Sequence, residues 1–288
     1  MGRNKKYWKF QSGSVSLEKP VLVGILNVTP DSFSDGGEYV AVEHAIERAR
    51  LMIKQGAEII DIGGESTRPG AKRISAAEQM QRVLPVIQEM HDVFISIDTT
   101  SVEVAAAAID AGASIINDVS ACQDEPEMFG LAATTGAGLV LMHRLVEPEL
   151  DQYSDKYHTS PEYGDVVGDV RGWLLARVEI ALGHGVKPEA IAIDPGLGFG
   201  KSVGQNVAII EGIENFVESG YPVFVGASRK SFIGAISEIS DPKERDEASA
   251  RVAVTLFRGG AKVFRVHDVR THKRMLQSAS QEMENNRR

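Results

Sequence analysis

Polar side chains with the makings of a reaction site sit at the ends of short apolar runs along the whole chain. Asn27 follows VLVGIL, Asp61 closes EIID, Asp98 closes VFISID and Asn117 follows SII. His143 follows GLVLM, Asp194 closes AIAID, Ser228-Arg229-Lys230 follows PVFVGA, and Arg265 and His267 lie in KVFRVH. One polar residue after a strand is ordinary. Three aspartates, two asparagines and a cationic set, each on a separate run, point to a shared rim where strand ends converge. The loops beside them carry further chemistry. Residues 27–37 pack turn formers around Phe33, which suits a lid. Residues 61–70 place Arg68 among glycines and Pro69, and residues 194–201 (DPGLGFGK) alternate glycines that let backbone approach a ligand. That last stretch is not a nucleotide motif. Pro195 stands where a P-loop needs its first glycine, and Lys201 stands where the dinucleotide fingerprint needs its third.

The runs that must hold these residues in place begin near Val21, Glu58, Val93, Ser114, Gly138, Ala190, Pro222 and Lys262. Each is short and nearly continuously apolar, the pattern of a parallel strand buried on both faces. Helical periodicity fills the gaps: Val42, Ala45, Ile46, Ala49, Met52 and Ile53 follow i, i+3, i+4, i+7 spacing before Gly56. The stretches 205–220 and 246–259 behave alike. Eight strand–helix units in 288 residues predict an α/β fold, a single-domain (β/α)8 TIM barrel with its site at the C-terminal strand ends. An open doubly wound sheet would not need the eighth strand. The expected division is an N-terminal segment 1–20 forming a hairpin that closes the barrel bottom, the barrel over 21–276, and a polar, fraying tail over 277–288.

Composition narrows the function classes. The chain is 43% hydrophobic and 25% charged, with one cysteine, Cys122, so it is neither a disulfide scaffold nor a zinc-cluster protein. No apolar run spans a bilayer, and MGRNKKYWKF is not followed by the apolar core of a signal peptide, so a cytoplasmic protein is expected. A net charge of −9 argues against nucleic-acid and membrane partners. Any anion bound here must be held by a local cationic cluster.

Taken together, NVTPDSFSDGG (27–37), DIGGESTRPG (61–70), IDT (97–99), IND (116–118), DPGLGFGK (194–201), GASRKSFIG (226–234) and RVHDV (265–269) resemble the dihydropteroate synthases of folate synthesis, in order from Val21 to Val269. The resemblance implies the same barrel, a homodimer, Mg²⁺, and condensation of 6-hydroxymethyl-7,8-dihydropterin diphosphate with 4-aminobenzoate to give 7,8-dihydropteroate and diphosphate. It implies that Asp194 accepts the amidine-like edge of the pterin, with Asn117 and Asp98 completing that edge. Lys230 would donate to the ring, and Met142 would pack on its face. Asn27, Arg68, Arg265 and His267 would form the diphosphate site, with Mg²⁺ bridging Asn27 and the phosphates. Thr67, Pro69, Phe199, Lys230 and Ser231 would line the 4-aminobenzoate slot. Asp35, Asp98, Lys230 and Arg265 are the expected catalytic groups; the acids would stabilise a cation-like pterin as diphosphate leaves.

Two stretches depart from the family pattern. After the fifth strand, where MHMQG is common, Met142-His143 continues as Arg144-Leu145-Val146, and an unusual insert occupies 149–167. After the third, Thr100-Ser101 stands where a basic residue is common. A pterin-dependent methyltransferase-type barrel, which needs no diphosphate site, and a non-catalytic pterin-binding paralogue are the alternatives.

Overall fold

The computed structural model describes residues 6–28 and 37–286. The strands are β1 (Tyr7–Phe10), β2 (Gly13–Ser16), β3 (Val21–Asn27), β4 (Ile59–Gly63), β5 (Phe94–Asp98), β6 (Ile115–Asp118), β7 (Gly138–Met142), β8 (Ile191–Asp194), β9 (Phe224–Val225) and β10 (Val263–Val266). The helices are α1 (Gly37–Gln55), α2 (Ala76–Gln88), α3 (Val102–Asp110), α4 (Met128–Thr135), α5 (Val166–Gly183), α6 (Val203–Glu211), α7 (Ile213–Val217), α8 (Ser231–Ser237), α9 (Asp246–Arg258) and α10 (Val269–Asn285).

Strands β3 to β10 pair in parallel in the order β8-β7-β6-β5-β4-β3-β10-β9. A parallel bridge between Ile193 and Val223, with the Ile193 N–H donating to the Pro222 carbonyl at 3.0 Å, joins the two edges and closes the barrel. Strict alternation sends successive side chains to opposite faces. Ile60, Ile62, Ile95, Ile97, Leu139, Leu141, Ile191 and Ile193 pack outward with the helices. Val21, Val23, Ile59, Ile115, Val140, Ala192, Phe224 and Val263 fill the lower interior together with Trp8, Phe10, Val15 and Leu17. Burial on both sides explains why these strands lack any polar alternation.

The antiparallel β1–β2 hairpin lies beneath that inner cluster. Trp8 is fully buried; its Nε1–H donates to the Ala190 carbonyl at 2.8 Å, and its ring meets Phe10 edge-on. At the other terminus the expected boundary at 276 is wrong. Helix α10 runs on through 277–285, because Leu276 and Ala279 continue the buried stripe of Val269 and His272, and Arg258 pairs with Glu282 at 2.8 Å. A polar sequence there reflects one solvated helix face, not a frayed tail.

Candidate active site

The strand register sets the upper interior of the barrel. Asn27 lies beside Gly63, Gly63 beside Asp98 and Asp98 beside Asn117; Met142 lies beside Asp194. These residues are two or four positions beyond inward apolar ones on the same strands, so they face the same cup. Asp98, Asn117, Met142 and Asp194 are all buried. Arg265, half-buried on β10, reaches across the cup: its Nε donates to Asp61 Oδ2 at 2.5 Å and its Nη2 to Asp98 Oδ2 at 2.6 Å. Asn117 Nδ2 donates to the same Asp61 oxygen at 3.2 Å.

This geometry joins two sets expected to serve different ends of the substrate, the acids of the pterin edge and the cations of the diphosphate site. Arg265 is anchored among the acids. Asp61, which sequence reasoning noted at a strand end without giving it a role, is the anchor. Its partner lies 204 residues away, a pairing no local pattern reveals. Two buried acceptor oxygens, Asp61 Oδ1 and Asp98 Oδ1, have no hydrogen-bond partner, an arrangement suited to receiving a ligand's N–H groups.

Burial raises the Asp98 carboxyl to about 7, against the pull of Arg265 and with the push of Asp61. Burial likewise raises Asp194 to about 6, although Lys230 and the Gly196 N–H favour its charge. Lys230 falls to about 8, chiefly through desolvation. Arg265 is desolvated too, yet Asp61 and Asp98 hold its guanidinium firmly protonated.

The loop after β8 is shaped by glycine where no other residue fits. Gly196 has φ +66°, its N–H donates to Asp194 Oδ1 at 2.7 Å, and a β-carbon there would lie 1.8 Å from the His143 carbonyl oxygen. The Lys230 ammonium donates to the Leu197 carbonyl and sits 4.3 Å above the Phe199 ring. Phe199 in turn packs with Met142 and Val119, apart from the main core. Met142 is therefore a floor for the cup. Lys201, which sequence reasoning used only to dismiss a nucleotide motif, is fully buried. Its Nζ contacts His143 Nδ1 and the carbonyls of Gly196 and Phe199 at 2.9–3.0 Å, fixing the loop from below. Burial and Lys201 together hold His143 neutral, its pKa lowered to about 2.

On the adjoining lip, formed by the ends of β9 and β10, the His267 ring faces Ser228 Oγ at 3.0 Å. Burial, then the nearby charges of Arg229, Arg265 and Arg68, hold His267 well below its ordinary pKa, so it is neutral within a cationic neighbourhood. Arg229 adopts φ +60° and is held by Asp246 through two bonds of 2.7 Å and by Ser249, which presents Lys230 to the cup. Thr67 and Pro69 are half-buried and Arg68 exposed on the loop after β4; Ser231 opens α8 and its Oγ accepts from the Ser154 N–H at 3.0 Å. Asp35 and most of the first loop lie outside the described residues.

Comparison with known proteins agrees with this geometry. Residues 23–267 match the family described as pterin binding enzyme. A dihydropteroate synthase from Synechocystis sp. is 44% identical over 255 residues, covering 88% of this chain and 86% of that protein. The Xanthomonas albilineans dihydropteroate synthase with 4-aminobenzoic acid superposes with a TM-score of 0.88 at 36% identity, covering 96% of this chain and 98% of that one. The Burkholderia cenocepacia dihydropteroate synthase complexed with 7,8-dihydropteroate gives 0.87 at 36% identity, covering 98% of each. The chain belongs to the dihydropteroate synthase family of pterin binding enzymes.

Proposed function

We propose that this enzyme joins 6-hydroxymethyl-7,8-dihydropterin diphosphate to 4-aminobenzoate, releasing 7,8-dihydropteroate and diphosphate. The observation that carries the reading is the convergence of Asp98, Asn117, Asp194 and Lys230 on one cup, with Arg265 bonded to Asp98 within it. Asp194 accepts the ring N–H and exocyclic amine of the pterin as a fork of charge-assisted bonds. Asn117 and Asp98 complete that edge, Lys230 donates to the ring, and Met142 supports its face. Arg68, Arg265 and His267 receive the diphosphate, with the guanidinium of Arg265 held ready by Asp61.

The bond between the pterin methylene carbon and the diphosphate oxygen breaks, and the electron pair leaves with diphosphate. The amine lone pair of 4-aminobenzoate then forms the C–N bond, and the nitrogen proton passes to solvent. Because an aniline is a weak nucleophile, the barrier falls mainly through stabilising the cation-like pterin. Ionised Asp98, and Asp35 on the first loop, supply that negative field. Thr67, Pro69, Phe199, Lys230 and Ser231 orient the incoming amine.

Mg²⁺ fits as a companion of the diphosphate. Among the described residues no group of three or more His, Cys, Asp or Glu could hold a metal by itself. Asn27 Oδ1 and Asp98 Oδ2 nevertheless approach the same point beside Gly63, 3.7 and 3.6 Å from where its β-carbon would be. One protein oxygen such as that of Asn27, with phosphate and water completing the shell, is how Mg²⁺ is commonly bound. When present, the ion neutralises charge on the leaving group. A homodimer and a reducing, cytoplasmic home complete the reading; the lone buried Cys122 is in keeping with the latter.

The test is incubation with both substrates and Mg²⁺, following diphosphate and pteroate together. Equal amounts of the two products are expected, and no pteroate when 4-aminobenzoate is left out. Pterin binding without diphosphate release would reject the reading. Asp35→Asn with full turnover would remove the first loop's electrostatic role alone.

A further inference from the structure

The unusual insert after β7 does not hang free. Over seven residues it makes hydrogen bonds to two separate walls of the rim. Toward the loop after β4, the Pro148 carbonyl accepts from the Gly70 N–H at 2.8 Å, and Glu149 Oε1 accepts from the Arg73 N–H at 3.0 Å. Arg73 also pairs with Asp124 at 2.6 Å, and the second oxygen of Asp124 is held by the buried Arg144, the residue that departs from the family pattern.

Toward the other wall, buried Asp151 accepts from the Gly200 N–H through Oδ2 at 2.9 Å, while its Oδ1 accepts from Tyr157 Oη at 2.6 Å. The Ser154 N–H donates to Ser231 Oγ at 3.0 Å, and Ser154 Oγ accepts from Asn206 Nδ2 at 3.1 Å. The crossing is close enough that a β-carbon at Gly200 would lie 2.4 Å from Leu145 Cβ.

We propose that residues 148–154 are a strap that positions both walls of the 4-aminobenzoate slot, with Asp151 as the positioning residue for the Phe199 side and Glu149 for the Thr67–Pro69 side. This rests on the function proposed above. None of the strap's hydrogen bonds reaches Asp98, Asn117, Asp194 or Arg265, and only the Asp151 charge acts on Lys230, so its influence falls mainly on the aromatic amine.

The experiment compares Asp151→Ala, Asp151→Asn and Glu149→Ala with the unaltered enzyme. Losing a buried acceptor is expected to raise KM for 4-aminobenzoate about tenfold in Asp151→Ala, with pterin affinity unchanged within about twofold. Asp151→Asn keeps an oxygen for Gly200 and offers an N–H to Tyr157, so it recovers most of that loss. Glu149 is exposed, so Glu149→Ala folds in any case, and it raises the same KM by about threefold. Amide exchange without substrate should quicken at Gly70 and Arg73 in Glu149→Ala, and at Gly200 in Asp151→Ala. Unchanged exchange, equal loss for both substrates, or no recovery in Asp151→Asn overturns the strap. Absence of turnover in the unaltered enzyme rejects the proposed function instead, while the exchange result still decides the strap.

Discussion

Asp194 and Lys230 titrate on either side of neutrality, and each must be charged to hold a pterin. Asp194 gains its proton as pH falls through about 6 and then cannot accept the ring N–H groups. Lys230 loses its proton as pH rises through about 8 and then donates more weakly. Pterin affinity measured by calorimetry should therefore be bell-shaped in pH, with limbs near those values. Asp194→Asn should cost about 2 kcal/mol of pterin binding, the worth of a hydrogen bond to a charged acceptor, and leave an acid limb set by Asp98 alone, near 7. Arg265→Ala leaves Asp61 and Asp98 buried without their counter-ion, and a loss of about 3–5 kcal/mol in urea denaturation is expected. The same variant should bind the diphosphate ester worse, relative to the free pterin alcohol, than the unaltered enzyme does. Most of these groups were legible because each ends an apolar strand. The partnership of Arg265 with Asp61 was not, since it depends on which strands become neighbours when the barrel closes.

Loops and helix ends were read less evenly than strands. DPGLGFGK was recognisable as a close-approach segment from its alternating glycines, and Gly196 shows why: positive φ and the His143 carbonyl together leave no room for a side chain. Gly196→Ala should lower stability by about 2 kcal/mol or more, through backbone strain, and should weaken pterin binding by displacing Asp194. Far-ultraviolet circular dichroism should stay that of the parent, because the strands and helices do not depend on this turn. Helix α10 was cut short in the sequence reading because residues after 276 look polar, although the apolar stripe continues at Ala279. The insert resisted reading for a different reason. Its value lies in single side chains, Glu149 and Asp151, meeting backbone N–H groups of loops far away in sequence, and such pairings leave no local pattern in residue type.

Across the whole molecule, the hairpin plug and the chemistry occupy opposite ends of one barrel. The hairpin seals the lower end with Trp8, while the described polar groups assigned to substrate lie at the upper end. Trp8→Ala should cost about 3–5 kcal/mol, as expected for deleting a fully buried indole, and lower the melting temperature. Its kcat and KM, measured well below that temperature, should match the parent, since the geometry of the upper rim does not depend on the lower plug. The cup at the upper end decides what the protein binds. Its most direct test is a crystal structure of the enzyme with 6-hydroxymethyl-7,8-dihydropterin diphosphate bound. The heterocycle is predicted to lie on Met142 with its amidine edge on Asp194 and its diphosphate between Arg68 and His267. A pterin bound elsewhere, or bound with its diphosphate turned away from those cations, would contradict it.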